Sequence, residues 1–294
     1  MAASSARIAV AASRQLARAP QRGFATEKQI LLRIGATSNL QKITSSMKMV
    51  SAAKLKGDTT RLTAARPFNQ WTSKVEASVA PIEDLDVSSW PQNNLIVAST
   101  TDRGLCGGVN SYVSRGIRSI SAKLAAEGKT FQLIVNGEKG RSQMRRAQAS
   151  HLISAHTDLE YPMNFATTSA LTNEVLKVDP SEFDAIHLVF NEFQSAISYI
   201  PSVRTLPTLQ GEGLNEPMVS YDFEPPTKSE VMQDLREFML ASELFVAFME
   251  NSTSEQSSRT QAMENASKNA GELIESLTLQ YNKARQARIT TELV

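Results

Sequence analysis

The segment Thr101–Gly108 holds the residues best suited to chemistry, since it combines Asp102, Cys106 and three glycines. It follows a short apolar run and precedes a helical pattern, which is where phosphate-binding loops lie in α/β proteins. Its spacing matches neither G-x-G-x-x-G nor G-x-x-x-x-G-K-S/T. Two interpretations remain: a nucleotide site with Asp102 or Cys106 near the reacting atoms, or a tight turn in which glycine supplies positive φ. The spacing favours the turn.

Cysteine and histidine are scarce, which limits the other chemistries. Cys106 is the only cysteine, so no intrachain disulfide can form, and without an activating neighbour it is expected to be a packed thiol. His151 and His156 could form a metal pair, but no third ligand is evident, so packed or surface histidines are favoured. No paired carboxylates and no Ser/His/Asp arrangement can be assigned. Outside the loop 101–108, the residue types therefore give no signal for a catalytic residue, a metal or a cofactor.

Strands and helices alternate between about residues 90 and 210, and these elements must position the loop. Short apolar runs predict strands over residues 95–98, 131–135 and 186–190. Helical patterns between them predict an α/β domain with a Rossmann-like sheet. A further strand is expected over residues 196–204, at an edge of the sheet because Pro201 has no N–H to donate.

Proline-free segments flank this domain and predict two long helices. Between residues 26 and 66 an apolar stripe has the 3-4-3 spacing of a coiled-coil seam: Leu40, Ile43, Met47 and Val50. Residues 227–294 contain no proline, and their second half carries a seam with the 3.5-residue period of a left-handed supercoil. That seam consists of Met263, Ala266, Ala270, Leu273, Leu277, Gln280, Ala284, Ala287 and Thr291. We expect the two helices to pair antiparallel, seam to seam, because neither would be stable alone in water.

Charge is unevenly distributed, although the formal net charge is only +1. The first 25 residues contain four arginines and no acid, which indicates a mitochondrial transit peptide cut near Phe24 or Ala25. Residues 27–66 carry a net charge of +6, which is either a solvated helix face or a surface for an acidic partner. Nucleic acid is disfavoured because few aromatic residues interleave with the basic ones. The predicted organisation is a transit peptide (1–25), an N-terminal coiled-coil helix (26–80), an α/β domain (90–210) and a C-terminal coiled-coil helix (225–294).

Three separated segments resemble the γ subunits of F-type ATP synthases, the central rotor stalks of these enzymes. Arg33–Leu55 is similar to the family's N-terminal signature and Asp102–Gly108 to its central loop. Ser254–Arg259 and Leu277–Leu293 are similar to its C-terminal signature. The resemblance implies a long antiparallel coiled coil of the N- and C-terminal helices attached to the α/β domain, with no active site in this chain.

The resemblance also implies partners and contact residues. The shaft would turn inside a ring of α and β subunits, and would couple rotation of the proton-driven c-ring to conformational change at the catalytic β subunits. The α/β domain would sit with the δ and ε subunits on the c-ring, peripheral to the mitochondrial inner membrane on the matrix side. Carried over by position, the subunit-interface residues are Met47, Lys48, Arg259, Arg285, Gln286, Thr290 and Glu292. Met47 and Lys48 would face an acidic loop of a β subunit, and the others would contact the catalytic ring or support that contact.

Two departures from the family pattern are apparent. Family members usually continue for several small apolar residues beyond the position of Val294, so either the shaft is short or the sequence is truncated. No cysteine pair is present, so the redox-regulatory insertion of chloroplast forms is not expected.

Two other functions remain open at this point. One is a nucleotide-using α/β enzyme that binds ATP or a dinucleotide through residues 101–108. The other is a coiled-coil scaffold with an unrelated partner.

Overall fold

The computed structural model describes residues 26–72, 78–178, 182–207 and 228–293. The predicted transit peptide lies outside these ranges. The chain divides into two compact units: the segment up to residue 43 together with residues 267–294, and residues 44–266. No helix in the described ranges is long and apolar enough to cross a membrane.

Helix α1 spans Glu27–Ala65. It begins with half of a capping box, because the backbone N–H of Thr26 donates to the side-chain oxygen of Gln29 at 3.2 Å. It ends just before Pro67, since a residue that precedes proline is disfavoured in the helical conformation. A 3-10 helix then covers Arg66–Asn69.

Helix α5 spans Lys228–Leu293 and is 66 residues long, which confirms the predicted C-terminal helix. It runs antiparallel to α1 within each unit. In the first unit, Arg288 forms an ion pair of 2.9 Å with Glu27. In the second, Lys48 pairs with Glu264 at 2.7 Å and Arg66 with Glu250 at 3.3 Å.

The side of α1 that faces α5 is not the predicted apolar stripe. Leu40, Ile43 and Val50 are more than half exposed. The less exposed positions follow a heptad that begins and ends with apolar residues but is polar in between: Ile30, Ile34, Thr37, Gln41, Thr44, Lys48, Ser51, Leu55, Asp58 and Leu62. The buried apolar residues at the two ends of α1 determine which side of the helix faces α5. The predicted apolar stripe lies on a different side. The predicted seam of α1 is therefore wrong.

The predicted seam of α5 is correct in part. Met263 and Leu277 are buried, and the alanines at 266, 270 and 284 are half-buried. Leu273 and Gln280 are exposed, whereas Ile274 and Tyr281 next to them are half-buried. The seam therefore moves by one residue at these two places. Ala287 and Thr291 are exposed.

A six-stranded mixed sheet forms the remaining layer. Its strands are β1 (Ser78–Pro81), β2 (Asn93–Ser99), β3 (Thr130–Asn136), β4 (Leu152–His156), β5 (Ala185–Ser195) and β6 (Ser198–Pro207). The helices between them are α2 (Val109–Ala126), α3 (Glu138–Met144) and α4 (Phe165–Leu176). The strand order is β1-β6-β5-β2-β3-β4, with β2 to β5 parallel and β1 and β6 antiparallel to their neighbours. The predicted α/β class and the three predicted apolar strands are confirmed.

Both faces of the sheet are covered, which explains why its central strands are continuous apolar runs. On β2, Ile96 and Ala98 pack with the inner side of α2, while Leu95 and Val97 pack with α4 and α5. Alternate residues of one strand thus belong to two hydrophobic cores. The part of α5 that packs here includes Leu240, Leu244 and Phe248.

Strand β6 is not an edge strand, contrary to the expectation from Pro201. It pairs with β5 on one side and β1 on the other. Strand β1 is only four residues long and pairs with residues 202–205, so Pro201 lies just beyond the paired stretch. Its carbonyl oxygen accepts a hydrogen bond of 2.9 Å from Ile82.

Candidate functional site

The loop 101–108 lies at the carboxyl edge of the sheet, between β2 and α2. From β2 the chain builds outward to β3 and β4, and then returns to add β5 on the other side of β2. This reversal of direction is where doubly wound sheets bind their ligands. The loop therefore occupies the position at which a nucleotide site would be sought.

Side chains of α5 occupy that position. Asn251 donates to the carbonyl of Thr100 at 3.3 Å and accepts from Asn191, on β5 just beyond its stretch paired with β2, at 2.8 Å. Ser254 donates to the carbonyl of Asn191 at 3.0 Å. Side chains of α5 thus form hydrogen bonds with the backbone carbonyls at this edge of the sheet. This favours the tight-turn interpretation over a nucleotide site.

Ser258, further along α5, holds the loop itself. Ser258 donates to the carbonyl of Cys106 at 2.7 Å. Gly107 has φ +60, and a Cβ at this position would lie 2.7 Å from the Ser258 hydroxyl, so glycine is needed here. Leu105 also has a positive φ, of 62°, and its side chain is 63% exposed at the tip of the loop.

Cys106 is a packed thiol, as expected. It is buried, accepts a hydrogen bond from Asn110 at 3.3 Å and lies 3.7 Å from the Thr101 hydroxyl. Burial raises the pKa of this thiol above its ordinary value. A thiol that ionises less readily is a poor nucleophile.

Arg259 faces inward rather than toward solvent. It is 7% exposed. Its guanidinium donates to Glu255 at 2.5 Å, to Gln256 at 3.1 Å and to the carbonyl of Gly104 at 3.3 Å. Burial raises the pKa of Glu255, and the charge of Arg259 opposes that shift. Arg259 therefore holds the loop in place. A residue buried in this way is better suited to supporting a subunit contact than to making one.

Met47 and Lys48 lie beside a groove of about 850 Å³ between α1, the loop and α5. Met47 is half-buried and lines it together with Arg103, Leu105 and Arg259. The Lys48 ammonium, which was expected to face an acidic loop of a partner, pairs with Glu264 of this chain. Both members of that pair are exposed, so solvent screens it.

The other four predicted contact residues form a second group on the last turns of α5. Arg285, Gln286, Thr290 and Glu292 are all exposed. The Thr290 hydroxyl donates to the carbonyl of Gln286 at 2.9 Å, as a solvated helical threonine often does. These side chains are available for contacts outside the chain.

Neither predicted histidine takes part in a metal site in the described residues. His151 stacks on Phe131 with ring centroids 4.2 Å apart. His156 lies 3.4 Å from the Ser154 hydroxyl. Among the described ranges no group of three or more His, Cys, Asp or Glu could hold a metal ion.

The role of His187 could not be predicted, because no motif surrounds this residue in the sequence. This residue is fully buried, stacks on Trp90 with centroids 3.5 Å apart, and lies between Thr205 (3.0 Å) and Asn94 (2.9 Å). Burial lowers its pKa to about 3. It is a neutral core residue that connects β5 to both neighbouring strands.

Comparison with known proteins agrees with this architecture. The ATP synthase family model matches residues 26–294. The chain is 40% identical over 278 residues to the ATP synthase gamma chain of Cereibacter sphaeroides, covering 91% of this chain and 96% of that one. It is 37% identical over 271 residues to the mitochondrial ATP synthase subunit gamma of Ipomoea batatas, covering 89% and 80% respectively.

Solved structures are similar too. The central stalk and c-ring structure of the Tetrahymena thermophila mitochondrial ATP synthase contains a chain that matches with a TM-score of 0.64 and 32% identity, over 76% of this chain and 99% of that one. The rotor of the Euglena gracilis mitochondrial enzyme matches in fold, with a TM-score of 0.72 at 20% identity, over 90% and 98% of the two chains.

These matches define a class of protein, the central-stalk subunits of rotary ATP synthases, which are not themselves catalytic. The chain belongs to the ATP synthase gamma chain family. The similarity to mitochondrial members fits a mitochondrial location.

Proposed function

We propose that this chain is the shaft that couples rotation of a c-ring to conformational change at catalytic β subunits. Its partners are the α and β subunits around the helices, and the δ and ε subunits and the c-ring at the α/β domain. It acts on the matrix side of the mitochondrial inner membrane, as a peripheral subunit. The assemblies named for the matching structures, a central stalk with its c-ring and an F1 with a c-ring, support these partners.

The observation that carries the proposal is the orientation of the apolar stripe on α1. Leu40, Ile43 and Val50 are 57%, 55% and 59% exposed. The side of α1 toward α5 instead presents polar residues such as Thr37 and Ser51, both buried. Apolar side chains in a continuous exposed stripe mark a surface for another protein. A shaft enclosed by a ring of subunits has this arrangement.

The predicted contact residues suit different parts of this role. Met47 lies in the same stripe but is itself half-buried, and Lys48 adds an exposed positive charge beside it, which suits an acidic loop on a β subunit. Arg259 supports the neighbouring loop from within. Arg285, Gln286, Thr290 and Glu292 provide polar contacts that can form and break as the shaft turns.

The mechanism is conformational coupling. An asymmetric shaft presents a different surface to each catalytic subunit, and each surface favours a different conformation. Rotation exchanges these preferences, so shaft angle and nucleotide affinity are linked. The linkage of binding free energies is reciprocal, and ATP hydrolysis can therefore drive the shaft in reverse.

Reconstitution of the full chain with α and β subunits tests the exposed stripe. Ile43→Gln with Val50→Gln should leave the stability of the chain nearly unchanged, because both side chains are mostly exposed, but should reduce assembly or ATP-coupled activity. Ala53→Gln, on an exposed face outside the stripe, is the matched control. Normal assembly and coupling of the double variant would contradict the proposal.

A further inference from the structure

Tyr161, in the loop that joins β4 to α4, makes polar contacts with α1. Its hydroxyl lies 3.1 Å from both carboxylate oxygens of Asp58 and donates to that carboxylate. The Lys54 ammonium lies 4.4 Å above the centre of the Tyr161 ring, a cation–π contact. Two successive turns of α1 thus contact one phenol ring.

Asp58 joins three parts of the fold. Its side chain is only 4% exposed. Besides Tyr161, it accepts a hydrogen bond from Arg61 of α1 and lies 3.4 Å from the hydroxyl of Ser252 on α5. A buried carboxylate requires such partners, because removing one leaves its charge poorly compensated.

The loop that carries Tyr161 is itself tied to the sheet. The backbone N–H of Leu159 donates to Asp102 at 2.9 Å, and the second carboxylate oxygen of Asp102 accepts from the backbone N–H of Glu138 at 2.9 Å. Asp102 directly follows the carboxyl end of β2. A continuous path of contacts therefore leads from the sheet through Asp102 and Tyr161 to Asp58.

The protonation state of the phenol suits a permanent contact. Burial, followed by the charge of Asp58, raises the pKa of Tyr161 to about 12. The hydroxyl therefore remains a donor at physiological pH. The Tyr161 side chain is still 41% exposed, so its loss opens no large cavity.

The position of the contact along α1 gives it leverage. The chain leaves α1 at Ala65, near the buried contacts of Leu62 and Met249. Lys54 lies eleven residues before that end, about 17 Å along a helix. A contact at this distance from the end of the helix opposes tilting of α1 against the α/β domain, and because it lies at the surface of α1, off the helix axis, it also opposes rotation of the helix about that axis.

We propose that Tyr161 is a positioning residue that transmits torque between the α/β domain and α1, through its hydrogen bond to Asp58 and its cation–π contact with Lys54. This inference rests on the proposed function, since it assigns a route for the torque of the same shaft. Tyr161 holds the angle of α1 while α5 crosses the sheet and is held by many contacts of its own.

The test measures angular stiffness in assembled complexes of the full chain with α and β subunits. A bead attached to Ala126→Cys, on the exposed end of α2, reports the angle, in a Cys106→Ser background. Tyr161→Phe removes only the hydroxyl, and Tyr161→Ala also removes the ring. The matched control is Glu160→Gln, because Glu160 bonds to Asn164 and Thr167 near its own loop and not to α1.

We expect the distribution of bead angles during pauses to widen in Tyr161→Phe and further in Tyr161→Ala, with the control unchanged. ATP hydrolysis without load should be unaffected, whereas work against load should decrease. If the wild type rotates normally, unchanged angle distributions in both tyrosine variants would overturn this inference but not the proposed function. Equal widening in the Glu160→Gln control would overturn it too. A wild-type complex that does not rotate would instead contradict the proposed function.

Discussion

Ser258 on α5 donates a hydrogen bond of 2.7 Å to the carbonyl oxygen of Cys106, 152 residues earlier in the chain. Asn251 and Ser254, further back on the same helix, make similar contacts with Thr100 just after β2 and with Asn191 on β5. The crevice in which related sheets bind ligands is thus an internal joint between the sheet and its longest helix.

This joint predicts a strong requirement for glycine at position 107. Gly107→Ala should destabilise the chain by ~2–4 kcal/mol, because the new Cβ combines an unfavourable positive φ with a clash against Ser258. Gly128→Ala has a similar φ of +69 but open space around it, and should cost only ~1–2 kcal/mol. Thermal unfolding of both full-length variants measures the difference, and equal losses would argue against a tight joint.

Cys106 provides a direct probe of the same joint. Ser258→Ala should increase the rate at which a maleimide labels this buried thiol by about fivefold, since losing one hydrogen bond of ~1 kcal/mol favours local opening. Ser257→Ala is the control, because Ser257 bonds to the carbonyl of Ala196 on the β5–β6 hairpin rather than to the loop. Equal labelling rates in the two variants would show that the Ser258 bond does not hold the loop.

The buried ion pair of Glu243 and Arg204 should contribute far more than the exposed pair of Lys48 and Glu264. Glu243 is fully buried and also accepts from Asn69 at 3.0 Å and from Thr72. Glu243→Gln leaves the Arg204 charge without its partner and should cost ~3–5 kcal/mol. Glu264→Gln should cost ~0–1 kcal/mol. Chemical denaturation of the two variants tests this, and similar losses would be contrary to it.

His187 should make the folded state less stable in acid. Its pKa falls from the ordinary value of 6.5 to about 3 in the fold, so between these values the unfolded chain binds a proton that the folded chain does not. Because only the unfolded chain protonates His187 in this range, the free energy of unfolding should decrease by ~1.4 kcal/mol for each unit that the pH falls below 6.5.

A variant that cannot titrate isolates this effect. His187→Gln should show a shallower decrease in unfolding free energy between pH 6.5 and 5, even if it is less stable at pH 8. The difference in slope is the measured quantity. Parallel pH profiles for the wild type and the variant would mean that His187 binds protons equally in the folded and unfolded chains, contrary to its lowered pKa.

The α/β layers were predictable because their signals are local. Residues 95–98, 131–135 and 186–190 are mainly apolar on both faces, and a strand covered on both sides needs that composition. The failure at Pro201 has a geometric cause: the strand β1 that covers β6 pairs with it only as far as residue 202, one position short of the proline. No single-strand pattern contains that information.

The face of α1 could not be predicted for a different reason. Its sequence carries two stripes of heptad spacing, one apolar around Leu40 and Ile43 and one mostly polar around Thr37 and Ser51. Burial alone favours the apolar stripe as the inner seam, yet that stripe is exposed. The pattern that predicted a coiled-coil seam therefore lies on the surface that we propose for other subunits. The inward placement of Arg259 was hidden in the same way, since its partners are backbone carbonyls of a distant loop.

The central claim is that this chain turns as a shaft, and direct observation of rotation tests it. The bead must be attached at Ala126→Cys, because Cys106 is buried and cannot serve as the attachment point. In complexes of the full chain with α and β subunits, addition of ATP should produce stepwise rotation in one direction. Assembled complexes that hydrolyse ATP while the bead stays at a fixed angle would contradict the account.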